Sequence, residues 1–295
     1  MNKFLKERRD MLRLSALGVA GAAGAAVGAA TLGAQKAVAQ AAPNSQLRTV
    51  LNRGRLLVGT GSTNAPWHFE NEKGELVGMD IAMARILAKG LFDDESKVEF
   101  VRQDPAQRIP NINTGKVDIV VQFMTVNPQR AQLVNFSKPY YVEGVALLTR
   151  PDSELKNFDA LSAAGSKARI SILQNADADT TVKAALPQAT VMQLDTQANV
   201  IQALDSKRAD AAAVDLSTVQ WLTKRQPDRY VDAGKKWYSM LYSAALRQGD
   251  LDWLQFVNTT FDVAMHGHQN ATYDQALEEY FGIKPPVREP GLPNF

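Results

Sequence analysis

The chain has 295 residues, of which 45% are hydrophobic and 22% charged, and it contains no cysteine. These proportions are ordinary for a globular protein and disfavour both disorder and a polytopic membrane protein, while the absence of cysteine excludes a disulfide framework, a thiolate metal site and lipid attachment at a signal-peptide cysteine. Residues 1–41 hold six of the 33 Lys and Arg and two of the 31 Asp and Glu, which leaves 27 bases against 29 acids, so the slightly basic whole gives no argument for nucleic acid or an anionic membrane as a partner.

In chain order, Lys3, Lys6, Arg8, Arg9 and Arg13 precede an uncharged run over residues 14–32 that is rich in Gly and Ala. Small-x-small sites follow at Ala37-Val38-Ala39 and Ala39-Gln40-Ala41. This pattern predicts an export signal over residues 1–41. A membrane anchor is the competing reading, weakened because Gly and Ala insert poorly. Arg8-Arg9-Asp10-Met11-Leu12-Arg13 further resembles a twin-arginine signal, with an ordinary secretory signal as the alternative.

Beyond the signal, residues 55–60 read as a buried strand running into a Gly/Ser/Asn loop and Pro66-Trp67-His68-Phe69. Turn residues from Asn71 to Gly74 predict a hairpin. Asp80 is expected to cap a helix whose apolar stripe is Ile81, Ala84, Ala88 and Leu91. A strand at 98–101 and a short helix near Pro110 ending at Gly115 lead to residues 117–123, apolar almost throughout, as in a strand covered on both faces. After strand-like residues 144–149, Arg150-Pro151-Asp152 marks a break, and strands at 169–173, 191–194 and 209–214 alternate with helical segments. A strand over 242–246 and two amphipathic helices, striped by Leu254, Val257, Phe261 and Ala264 and by Tyr273, Ala276, Leu277 and Tyr280, end the pattern. Two βα assemblies in tandem make the fold class α/β with two lobes.

Five segments then carry a resemblance. Gly74-x-x-Val77-Gly78-Met79-Asp80-Ile81, Arg108-Ile109-Pro110 with Gly115-Lys116-Val117-Asp118, Thr125 with Arg130, Phe136-Ser137-x-Pro139-Tyr140, and Leu173-Gln174 with Arg208-Ala209-Asp210-Ala211 and Asp215 resemble, in order, the polar-amino-acid periplasmic solute-binding proteins of family 3. The likeness extends over roughly residues 50 to 283. It implies a type II periplasmic-binding-protein (Venus-flytrap) fold joined by two hinge strands, near residues 144–149 and 240–246. On that reading residues 42–146 and 243–295 form lobe 1 and residues 147–242 form lobe 2. It also implies a monomeric periplasmic protein without a cofactor, whose partners are a small-molecule amino acid and the ABC permease subunits of the inner membrane.

The chemistry of an amino-acid head group selects residues by itself. A carboxylate in a closed cleft needs charge-assisted donors, and a guanidinium offers a planar fork. Arg130, a few residues past a buried strand, sits where α/β sheets place ligands, and Thr125 adds a hydroxyl. A surface arginine is the bland alternative. The ammonium needs a carboxylate from the facing lobe, and Asp215, at the end of the apolar run 211–214, is the candidate, with a helix cap as its ordinary role. By the resemblance, the loop holding Gln174 and Asp177 presents amides to the carboxylate. Trp67 and Phe123 are candidates for apolar walls or for plain core. Asn64 stands where an aromatic platform is frequent in relatives, and small hydroxyl residues are missing at Gln122, Phe123, Ala176 and Asp177. No basic residue is evident for an acidic ligand side chain, which argues against glutamate and aspartate.

An enzyme on the same scaffold, such as cyclohexadienyl dehydratase, is the alternative function, and a sensory module is a third. No nucleophile elbow, zinc-binding H-E-x-x-H or P-loop is present, and His266 and His268 alternate instead of sharing a helical face, so no metal site is expected.

Overall fold

The computed structural model describes residues 45–269, 271–285, 287, 288 and 291; the expected export signal lies outside these residues. Helix α1 (Gln46–Arg53) leads into β1 (Leu56–Thr60). The short strands β2 (Thr63–Asn64), β3 (His68–Glu70) and β4 (Leu76–Val77) then form a small antiparallel sheet, with the expected turn at Asn71–Gly74 closed by a 2.9 Å hydrogen bond. Helix α2 (Met79–Phe92), β5 (Val98–Arg102), α3 (Arg108–Asn113), β6 (Ile119–Thr125), α4 (Pro128–Ala131) and β7 (Asn135–Phe136) follow. Strand β8 (Tyr141–Thr149) carries the chain into a second half made of α5 (Phe158–Ala164), β9 (Arg169–Leu173), α6 (Ala178–Lys183), β10 (Thr190–Leu194), α7 (Gln197–Asp205), β11 (Ala211–Asp215) and α8 (Leu216–Arg225). Strand β12 (Val231–Leu246) returns it, and α9 (Leu251–Met265) and α10 (Ala271–Ala276) pack on the first half.

The large sheet runs β10-β9-β11-β8-β12-β6-β1-β5. At each end lies a parallel trio, β5-β1-β6 and β10-β9-β11, and between them the two long strands pair antiparallel with each other and with both trios. This is the two-lobed α/β architecture with two connecting strands. Parallel strands need cover on both faces, and the side-chain alternation provides it. In the second half Val145 and Leu147 point into one apolar cluster with Ala211 and Ala213, while Ala146 and Leu148 point into another with Ala212 and Val214. In the first half β1 and β6 bury Leu56, Val58, Ile119 and Val121 beneath Met83 and Leu87 of α2 and Trp253 and Phe261 of α9.

Two local expectations change. Gly78, not Asp80, is the N-cap of α2, because the chain there has φ 123° and a Cβ would lie 2.2 Å from the Trp67 carbonyl oxygen. Asp80 falls in the first turn and turns its carboxylate into the core. The returning strand is also far longer than residues 242–246, because its stretch from Val231 onward pairs with β8 through two register shifts. Its polar residues hid that stretch from a reading based on apolar runs.

Candidate functional site

The carboxyl ends of both parallel trios point at one another, which is where an open α/β sheet gathers its ligand groups. Two adjoining chambers of about 80 and 190 Å³ lie between them, and Phe123, Leu173 and Gln197 line both.

The first half supplies the cations. Asn127 caps α4 by accepting the Arg130 amide at 2.8 Å, and this fixes where the Arg130 side chain leaves the backbone. The Arg130 guanidinium then donates Nη1 to the Thr125 carbonyl at 2.9 Å and lines the smaller chamber. Arg108, the first residue of α3, enters the same chamber, donating Nε to the Pro105 carbonyl at 3.0 Å and Nη1 to the Gln122 carbonyl at 3.1 Å. It lies 5.5 Å above the Phe123 ring and is almost wholly buried. Among the described residues neither arginine meets a carboxylate within ion-pair range. Burial and the neighbouring Arg130 charge push Arg108 down to about 9. Burial also lowers Arg130, against the opposing pull of Asp177.

Phe123 divides the two chambers from a strained backbone, with φ 32° in a non-glycine residue. Asp80 holds it there: Oδ2 accepts the Phe123 amide at 2.9 Å and lies 2.8 Å from His68 Nδ1, and Oδ1 accepts the Tyr140 hydroxyl at 2.8 Å. The His68 and Phe123 rings stack with centroids 4.7 Å apart.

The second half supplies the anion. Asp215 ends β11 and precedes α8, yet its side chain makes no cap hydrogen bond. Its Oδ1 accepts the Tyr242 hydroxyl at 2.8 Å, while Oδ2 is closed to solvent and accepts no hydrogen bond within 3.5 Å from the described residues, with the Asn64 side chain as its polar neighbour. Behind it Glu143, on the crossing strand β8, accepts the Ser217 hydroxyl at 2.5 Å and the Gly144 amide at 2.9 Å. Burial first, and then the Glu143 charge, raise Asp215 well above the usual carboxylate range; burial likewise raises Glu143. Burial therefore favours a proton on this acid pair, and a cation placed against Oδ2 would displace it.

Of the eight expected site residues, Arg130, Thr125, Phe123, Asp177 and Asp215 line the smaller chamber, and Asn64 lines the larger one with Phe123. Asp177 turns toward the other half, where its Oδ2 accepts the Asn127 amide nitrogen at 3.1 Å. Gln174 lies farther out, on a wider opening that it shares with Arg108 and Arg130. Trp67 is corrected from ligand wall to core: it is fully buried and edge-on to Tyr141, Tyr242 and Phe281, and its Nε1 donates to Ser217 across the cleft at 2.9 Å. Where the sequence offered no clear basic residue for an acidic ligand side chain, Arg108 lines the smaller chamber beside Arg130. Sequence reasoning quoted Arg108 only as part of a motif and passed over Glu143, Tyr242 and Gln197. A run of residue types does not tell which side of a six-residue helix meets a cleft.

Comparison with known proteins places this geometry. The model of the bacterial extracellular solute-binding proteins, family 3, matches residues 56–283. The glutamine-binding protein of Geobacillus stearothermophilus is 28% identical over 201 residues, 65% of this chain and 73% of that protein. The L-cystine-binding protein of Escherichia coli is 27% identical over 256 residues, 86% and 92%. Among solved structures, an ancestral amino acid-binding protein described as a precursor of cyclohexadienyl dehydratase is 30% identical with a TM-score of 0.71, covering 80% of this chain and 100% of its own.

Proposed function

The chain belongs to the bacterial extracellular solute-binding proteins of family 3, and from that premise we propose that it binds an amino acid between its lobes and hands it to the permease of an ABC importer. The observation that carries the reading is the pairing across one small chamber of the Arg130 guanidinium, which among the described residues has no carboxylate within ion-pair range, with Asp215 Oδ2, which accepts no hydrogen bond from them within 3.5 Å. An α-carboxylate answers the first and an α-ammonium the second. The names of relatives, which include glutamine- and L-cystine-binding proteins, support the class of ligand.

The mechanism is a population shift. A ligand that touches both halves favours the closed form by its differential affinity, and closure removes it from water. Polar contacts between the halves help hold that form: Trp67 Nε1 to Ser217, the Thr218 hydroxyl to Asn64 Oδ1 at 3.1 Å, and Asn127 to Asp177. We divide the lobes within the crossing strands, with residues 42–146 and 243–295 in the first and 147–242 in the second. Export to the periplasm by the signal over residues 1–41, action as a monomer and docking on inner-membrane permease subunits belong to the same proposal. A thermal-shift screen of the twenty amino acids tests it. Stabilisation by one or a few is expected, and a flat response to all of them sinks it.

One observation favours a second reading. The raised acidity range of Asp215 and Glu143 suits a general acid, as the cyclohexadienyl dehydratase alternative needs. Turnover of prephenate or arogenate by the purified protein would establish it, and inert substrates would leave the binding role alone.

A further inference from the structure

We propose that the cargo is an acidic amino acid, whose second carboxylate is received by Arg108, with Gln197 as a neutral donor beside it. The inference rests on the amino-acid reading and names the ligand class of the same site.

Its starting point is an imbalance of partners. The smaller chamber holds two guanidinium groups, Arg108 and Arg130, and neither has a carboxylate within ion-pair range among the described residues. The α-carboxylate of a neutral amino acid answers one of them. Arg108 then remains as a buried cation satisfied only by two carbonyl oxygens and the Phe123 face, which is a costly arrangement without an anion. Gln197 adds to the same side. It is buried, it lines both chambers, and its Nε2 has no acceptor.

The remaining acids are engaged or distant. Asp177 lines the same chamber, with Oδ2 on Asn127 and its charge acting on Arg130, so it partly answers that guanidinium and not Arg108, while Asp80 is occupied by His68, the Phe123 amide and Tyr140. Among the described residues Asp215 Oδ2 is a buried acceptor of the chamber with no hydrogen bond within 3.5 Å, and the ammonium takes it. Arg108 and the Gln197 Nε2, left without an acidic or accepting side chain among the described residues after Arg130 and Asp215 take the head group, describe a guest with a second anionic group. The two carbonyl bonds of Arg108 fix its fork, so little freedom is lost when the carboxylate arrives. A purely structural Arg108, tying Pro105 to Gln122, is the competing explanation, and the two separate by selectivity.

Isothermal titration of the purified protein with L-glutamate, L-aspartate, L-glutamine and L-asparagine reads this out. Each acid carries a charge that its amide lacks, in nearly the same shape. One of the acids is expected to bind at least about 10-fold more tightly than its amide, and Arg108→Gln is expected to bring that ratio down to about 1. Amides or other neutral amino acids binding as well as the acids would overturn the inference and leave the amino-acid role standing. So would an Arg108→Gln protein that weakens acid and amide by the same factor, which is the structural outcome. Failure of every amino acid to bind would remove the underlying reading as well. Should Arg108→Gln not fold, the acid-to-amide ratio of the unaltered protein decides the matter.

Discussion

Two buried aspartates stand on opposite sides of the cleft, and their surroundings differ. Asp80 is saturated: His68, the Phe123 amide and the Tyr140 hydroxyl occupy both oxygens, and no water reaches it. Asp215 has the Tyr242 hydroxyl on one oxygen and, among the described residues, no hydrogen bond within 3.5 Å on the other. Burial alone therefore does not mark a ligand group. What separates the two is whether the fold supplies the donors, and on the proposed reading it supplies them where it needs rigidity and withholds them where a guest brings its own.

Breaking the comparison at its ligand side should have the largest effect. Arg130→Ala and Asp215→Ala are each expected to weaken binding by roughly 100-fold or more, because each leaves a charge of the enclosed ligand unpaired. Circular dichroism melts should stay close to the unaltered protein, and titration showing retained affinity would remove that residue from the site. On the structural side the result should invert. Asp80→Ala strands three buried partners and is expected to cost about 3 kcal/mol of stability in urea unfolding. A loss below about 1 kcal/mol would mean that the saturated network holds little together.

The acid pair sharpens the contrast through pH. Asp215 and Glu143 are both raised in the folded protein, so the empty folded state holds more protons than the unfolded chain at any pH between the unfolded values, near about 4, and the raised folded ones. Their contribution to stability is present at the acid end of that window and is lost as pH rises through it. Asp215→Asn should flatten this decline in melts recorded across the window; identical slopes would contradict the assignment. Ligand binding should release protons over the same range, visible as a dependence of the titration heat on the buffer used. The smallest effect belongs to the closed form itself. Trp67→Phe removes one hydrogen bond to Ser217 and should cost about 1 kcal/mol of stability while the pattern of preferred ligands is kept. A changed preference would return Trp67 to the ligand wall.

Legibility tracked the kind of signal. Strands β6, β9 and β11 could be read because buried parallel strands are continuous apolar runs, and the last helices because their stripes recur every three or four residues. The long strand β12 could not, since its partner is the distant β8 and much of its length is exposed and polar. At the candidate site, Arg130 and Asp215 could be singled out from their place after apolar runs, with the family resemblance deciding between them and a surface arginine or a helix cap. Arg108 and Glu143 carry no such mark: Arg108 is placed by the carbonyls of Pro105 and Gln122 on neighbouring elements, and Glu143 by Ser217, far away in the sequence.

The sequence by itself determined the alternation of strands and helices, the two-lobed α/β class and the residues at the ends of the central strands, because periodicity and strand position are local properties. Only the tertiary structure decided which polar groups remain without a partner. Donors and acceptors meet across the cleft between residues a hundred or more positions apart, as Trp67 does with Ser217, and no local pattern encodes which of them are left over for a ligand.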